Sequence, residues 1–90
     1  MTKAKVLAVI ALYRERFEKE GIGKIKLAHD AIPASSGQVL EHCHAMLDQM
    51  VEFMAEGRLE KVFRWLGFIQ GCFWRAGWYT LDELKDHNRP

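Results

Sequence analysis

The sequence predicts an all-α fold, a small helical bundle with a central antiparallel helical hairpin, and three observations predict it. Leu40, Cys43, Leu47, Met50 and Met54 recur at alternating intervals of three and four residues, which aligns them along one side of a helix. Leu59, Val62, Leu66, Ile69 and Phe73 repeat the same spacing. Gly57 stands between the two runs, where a residue free to adopt the left-handed region lets the chain reverse and the two apolar seams meet. Seams of this kind resemble those of coiled coils and antiparallel bundles.

An N-terminal helix is expected from about Lys3 to Glu20, with Val6, Val9, Ile10, Tyr13 and Phe17 as its apolar stripe and Gly21 as its stop. Residues 22–34 read ambiguously. Ile22, Ile25, Leu27 and Ile32 are too apolar for a free linker, and Pro33 ends whatever precedes it. Ser35 and Gln38 have the spacing of a capping box at the start of the second helix, whose far side carries Glu41, Asp48 and Glu52 as a solvated acidic ridge. The third helix begins near Arg58. Trp65, Phe68 and Cys72 add a second apolar stripe about 100° around it, so this helix is expected to be central. Either the first helix or a second copy of the chain would cover that stripe. Thr80-Leu81-Asp82-Glu83 is a second capping box, opening a short C-terminal helix to Asp86 or His87 that docks through Leu81 and Leu84.

Ninety residues make one domain, 1–90. A hydrophobic content of 49% argues against disorder and hints that another chain covers some apolar surface. Lys3 and Lys5 before Val6–Leu12 imitate the start of a secretory leader, but charged residues and no small-residue cleavage site follow. With two cysteines and no apolar run near the ~18 residues of a bilayer span, the expectation is a soluble cytoplasmic protein without a membrane partner. Charge is unevenly placed: residues 1–26 hold seven basic and three acidic side chains, whereas residues 27–57 hold five acidic ones and no Lys or Arg. The simplest reading is that the segments neutralise each other within one fold.

No catalytic motif is present, and the chain reads as no enzyme. His42 and His44 are two apart on a helix, about 200° around from each other, so they cannot chelate one metal together. Cys43 lies in the seam, where a small buried thiol serves as an apolar group. No further ligands occur at zinc-site spacing, so neither a metal nor a cofactor is expected. Gln70 sits at the edge of the apolar girdle and suits a buried hydrogen bond that fixes register, or plain surface exposure.

A ridge of Glu60, Arg64, Gly67, Gly71 and Arg75 occupies the polar side of the third helix. An interior glycine costs roughly 1 kcal/mol against alanine, so two on one ridge suggest that another backbone comes close. The expected occupant is the chain's own linker or tail; a partner segment, or an anion held by Arg64 and Arg75, is the alternative. Trp65, Trp74 and Trp78 cluster late in the chain, and such a cluster serves either a core or an interface. Trp65 is assigned to the core; Trp74 and Trp78 join Arg64, Gly67, Gly71 and Arg75 as candidate binding residues.

Leu40-Glu41-His42-Cys43-His44-Ala45-Met46, Glu56-Gly57-Arg58-Leu59-Glu60-Lys61, Arg64-Trp65-Leu66-Gly67-Phe68-Ile69-Gln70-Gly71 and the run Tyr79–Pro90 resemble small uncharacterised proteins of bacteriophages and prophages. The resemblance covers about the second half of the chain and attaches no activity or site residue. It implies a bacterial host cytoplasm and a phage or prophage accessory protein that acts by binding. The expected function is therefore a non-catalytic protein-interaction module, homo-oligomeric and with a host or phage protein as partner. The alternatives are nucleic-acid binding through the basic first helix and linker, which the near-neutral charge does not favour, and a small-ligand site at Arg64 and Arg75.

Overall fold

The computed structural model describes residues 1–90 as four helices without strands: α1 (Lys3–Lys19), α2 (Ser36–Ala55), α3 (Leu59–Arg75) and α4 (Leu81–Asn88). The all-α bundle with a central hairpin is as the seams predict. Three starts are capped by hydroxyls. The Lys5 amide donates to Thr2 Oγ1, the Gln38 amide to Ser35 Oγ and the Glu83 amide to Thr80 Oγ1, each satisfying an orphan helical donor. At Thr80 the predicted capping box is complete, with the Glu83 carboxylate accepting from the Thr80 amide at 2.9 Å. At Ser35 it is displaced by one residue: Gln38 Oε1 accepts from the Ala34 amide instead.

The hairpin closes as predicted at Gly57, which takes φ +77°. Its amide bonds to the Met54 carbonyl, and the Arg58 amide reaches back to Phe53 at 2.9 Å, the paired bonds of a Schellman turn. The same turn ends α1 at Gly21 and α3 at Gly77, with Ile22 and Trp78 bonding back to Phe17 and Phe73. In all three a phenylalanine sits where the side chain past the glycine folds back. Trp78 stacks on Phe73 at 5.2 Å and Arg58 lies 4.9 Å over Phe53.

The central helix is α2, not α3. Its run Cys43-His44-Ala45-Met46-Leu47 is buried without a break, because α3 covers one side, α1 another and residues 22–27 a third. Both predicted seams are in the core, with only Leu59 left half-buried at the open end. The helix α1 packs on α2 and α4. It meets α3 on the flank of Gln70 and Phe73, where the Tyr13 and Phe73 rings lie edge to face at 4.7 Å. The opposite flank of α3, the stripe expected to be covered, is left open. Trp65 is half-buried against Phe53 (4.9 Å, near perpendicular), Cys72 is half-buried, and Phe68 is 56% exposed.

Residues 22–34 form no helix; the first part packs down as an irregular strap over α2. Its backbone polar groups find partners on the acidic side of that helix. The Leu27 amide donates to His42 Nδ1 at 3.0 Å, and the Ile25 amide donates to the Glu41 carbonyl. His44 Nδ1, facing the carbonyls of Ile22 (2.9 Å) and Gly23 (3.1 Å), is the donor to both, and its ring stacks on Phe17 at 4.6 Å. The ridge expected to be solvated is so only in part: Glu52 is exposed, while Glu41 and Asp48 are half-buried beside the strap. Asp48 receives Arg14 at 2.8 Å and Lys24 at 3.0 Å, so basic and acidic segments do neutralise each other inside the fold.

The short α4 is held by polar groups as much as by Leu84. Gln70 and Asn88 exchange amide hydrogen bonds of 2.6 and 3.0 Å, and Gln70 Nε2 also donates to Tyr13 Oη. The Tyr13 hydroxyl proton is then free to go to His87 Nδ1, 2.9 Å away. Burial pushes the Tyr13 phenol up to about 12, so it remains a donor. Leu81, expected to dock with Leu84, points out and is 55% exposed, and Asn88, expected in a tail, ends the helix.

His42 must be unprotonated at Nδ1 to accept the Leu27 amide, and His87 is so when it accepts the Tyr13 hydroxyl. Burial lowers His42, with His29 acting in the same direction. Burial also lowers His87, where Glu83 and Asp86 oppose the shift and Lys5 adds to it. The unfolded chain therefore takes up protons first as pH falls below the ordinary value of 6.5. Stability contributed by both contacts is complete above that pH and is lost as pH falls toward the lower folded values. Thermal midpoints between pH 7 and 5.5 should fall for the native chain and fall less for a His42→Gln/His87→Gln variant. Parallel curves would place the acid sensitivity elsewhere.

Candidate functional site

Glu60, Phe63, Arg64, Gly67, Phe68, Gly71, Trp74 and Arg75 are all exposed and together make up the outer face of α3. The face follows from the seam: with Val62, Leu66, Ile69 and Phe73 fixed inward by the hairpin, residues half a turn away must face out. Gly67 and Gly71 form its floor. Phe63 (40% exposed) and Trp74 (54%) flank the floor on the side of α4, and Phe68 flanks it on the side of α2. Grooves border the floor on both sides. One of about 410 Å³ runs between α2 and α3, lined by Val39, Leu40, Phe68 and Cys72 with Arg75 at its rim. On the other side lie two smaller hollows, of about 300 Å³ by Phe63, Leu66 and Asn88 and about 250 Å³ by Trp74, Leu81 and Leu84.

Nothing in the chain fills the glycine floor. A Cβ built at either Gly67 or Gly71 meets no atom within 4 Å. The expectation that the linker or tail lies there is overturned: residues 22–27 pack over α2, and the chain's end turns toward Tyr13 and Gln70. The two glycines therefore cost helix propensity with no packing inside the chain to offset it.

The other candidate residues separate. Arg64 sits 3.5 Å from Glu60 on the same helix, while Arg75 makes no salt bridge. Eleven residues place the two arginines about 16 Å apart along the axis, a separation that suits an extended partner better than one small anion. Trp74 joins them on the face. Trp78 does not: it is half-buried between Phe17 and Phe73, with the Arg16 guanidinium 4.8 Å over its ring. Phe63, Phe68 and Leu81 belong to the exposed surface but were not marked as binding residues by sequence. The signal was available for Phe63, which lies off the predicted apolar seam, whereas Phe68 was assigned to the second stripe and Leu81 to docking.

Cys43 and Cys72 are free thiols on facing helices. Interaction with the Cys72 thiol, together with burial, pushes Cys43 up, and the same interaction draws Cys72 down against its own burial. The proton stays on the buried partner, and the sulfur on the groove wall ionises first. His42 and His44 are strap contacts, and no group of three or more His, Cys, Asp or Glu side chains is placed to hold a metal. No helix is long and apolar enough to cross a membrane. Comparison with protein-family models, with curated proteins and with solved structures gives no match.

Two outcomes follow from this surface. Gly67→Ala and Gly71→Ala should each raise stability by roughly 1 kcal/mol, the helix-propensity difference; a lowered thermal midpoint in either variant would return the floor to internal packing. In the folded chain at neutral pH, iodoacetamide should modify Cys72 readily and Cys43 only on unfolding, as peptide mass mapping would read. Equal labelling of both would contradict the burial of Cys43.

Proposed function

We propose that the chain is a non-catalytic protein-interaction module whose outer α3 face receives a helix of a partner chain. One observation carries the reading: exposed aromatic side chains flank an open glycine floor at helical spacing, on a helix whose other side is fully committed to the core. Large exposed apolar patches mark interaction sites, and aromatic residues with arginine are the side chains that dominate interface energetics. A partner helix lying on the floor would bury Phe63, Phe68 and Trp74 and leave Arg64 and Arg75 at the rim. The resemblance to bacteriophage and prophage proteins supports a host or phage protein in a bacterial cytoplasm as the partner.

Nucleic-acid binding through α1 and the linker has less support. Arg14 and Lys24 are engaged by Asp48, and Arg16 by Glu20 at 3.0 Å, so three of the seven cations of that segment are paired within the chain and Lys3, Lys5, Lys19 and Lys26 remain. The test is affinity capture from bacterial lysate with the native chain and with Phe68→Glu and Trp74→Glu. The expected result is a specific protein captured by the native chain and reduced at least tenfold by either variant, as for interface hot spots. Capture insensitive to both variants would exclude the α3 face. Recovery of nucleic acid alone, with a steep salt dependence, would favour the other reading.

A further inference from the structure

We infer that the outer face of α3 is self-complementary and pairs with α3 of a second copy of this chain in antiparallel orientation. The inference rests on the reading of α3 as a docking face and names one occupant for it. The charges choose the orientation. Glu60 and Arg75 are exposed at opposite ends of the face, with Arg64 between them. A parallel pair would set Glu60 beside Glu60, Arg64 beside Arg64 and Arg75 beside Arg75, all repulsive. In an antiparallel pair whose two-fold axis passes between the two α3 helices at the level between Gly67 and Phe68, Glu60 of each copy stands level with the partner's Arg75. This happens twice by symmetry.

The apolar residues fit the same register. Like flanks meet in an antiparallel pair, so Phe68, 56% exposed, meets the partner's Phe68 beside the axis. On the other flank Phe63 comes within two residues, about 3 Å of axial rise, of the level of the partner's Trp74. Gly67 then lies opposite Phe68 of the other copy, and Gly71 opposite Arg64. Both glycines have open space above them, so the helix axes can approach more closely than the usual distance of about 8–10 Å. One register thus accounts for the glycines, the three exposed aromatics and the two terminal charges together. The strip is only about 25 Å long, short of the roughly 800 Å² per partner of a standard interface. The association should accordingly be weak and reversible, with a dissociation constant on the order of 10–100 µM.

Sedimentation velocity of the full chain from about 5 to 500 µM, at low salt, tests this. The native chain should pass from monomer to dimer, and Phe68→Glu should weaken the dimer at least tenfold while keeping its helical circular dichroism. Glu60→Arg and Arg75→Glu lie at exposed positions and should each weaken self-association. An equimolar mixture of those two variants should recover it as a heterodimer. The arginine introduced in one copy then faces the glutamate introduced in the other, and the native Glu60–Arg75 pair remains at the opposite end. Native chain that stays monomeric at the highest concentration overturns the inference, as does a dimer that ignores Phe68→Glu or a mixture that recovers nothing. A monomer that still captures a lysate protein through Phe68 and Trp74 would overturn the second copy as occupant and leave the docking face standing. A dimer of this register that captures nothing would leave the second copy as the occupant of the face and overturn a foreign protein as its partner.

Discussion

Covering α2 on every side is the constraint from which the rest of the molecule follows. Five consecutive residues of that helix, Cys43 to Leu47, are buried, and no single neighbouring helix can cover so wide an arc. The seam of α3 takes one side through Val62, Leu66, Ile69 and Phe73. Tyr13, Phe17 and the rest of the α1 stripe take the next. The remaining side would expose His42, His44 and Asp48, and the strap of residues 22–27 closes it. A chain of ninety residues has enough apolar surface for one core of this kind and little more. With α1, the strap and the inner side of α3 all committed to α2, only the short α4 remains, and it reaches one flank of α3.

The strap shows how polar groups substitute for regular structure. An irregular segment laid over a helix brings amides and carbonyls that find no ladder there, and leaving them unpaired would be costly. Histidine resolves this at two levels because each ring offers whichever role is needed. His44 donates from Nδ1 to a pair of carbonyls, and His42 accepts at Nδ1 from an amide. The two residues that look most like metal ligands in the sequence are thus committed to the chain's own backbone. Tyr13, Gln70, Asn88 and His87 do the equivalent for α4, forming a polar chain in which every buried side-chain donor and acceptor has a partner.

What the sequence makes legible is what depends on neighbours within a turn or two. The three-four spacing of Leu40 to Met54 and of Leu59 to Phe73, the stops at Gly21 and Gly57, and the box at Thr80 and Glu83 are all of this kind, and the structure bears them out. Gly77 carries the same signal as Gly57, a phenylalanine four residues before it and a large side chain after it, and it can be read once the pattern is known from the other two turns. The side of α3 on which α1 lies is a different matter. A helical wheel shows that Trp65, Phe68 and Cys72 form a stripe but not which stripe is covered. That is decided by Gln70, whose amide is buried on the far flank because Tyr13 and Asn88 satisfy it there. A polar residue with two distant partners outweighed three apolar ones, and spacing alone could not reveal those partners.

The ridge of Glu60, Arg64, Gly67, Gly71 and Arg75 was likewise recognisable as a ridge, although its occupant was not. Glycine spacing marks a place where a backbone can approach and is silent about which backbone. The structure removes the intramolecular candidates: the strap lies across α2, α4 ends beside Tyr13 and Gln70, and both glycines face open space. Two residues that lower helix propensity therefore persist in the middle of a well-formed helix without any packing to offset them. The exposed phenylalanines and tryptophan beside them are equally unexplained by the chain's own fold. The proposed docking on this face gives both departures one account, and it is the same helix in each case because α1 and the strap are committed to α2.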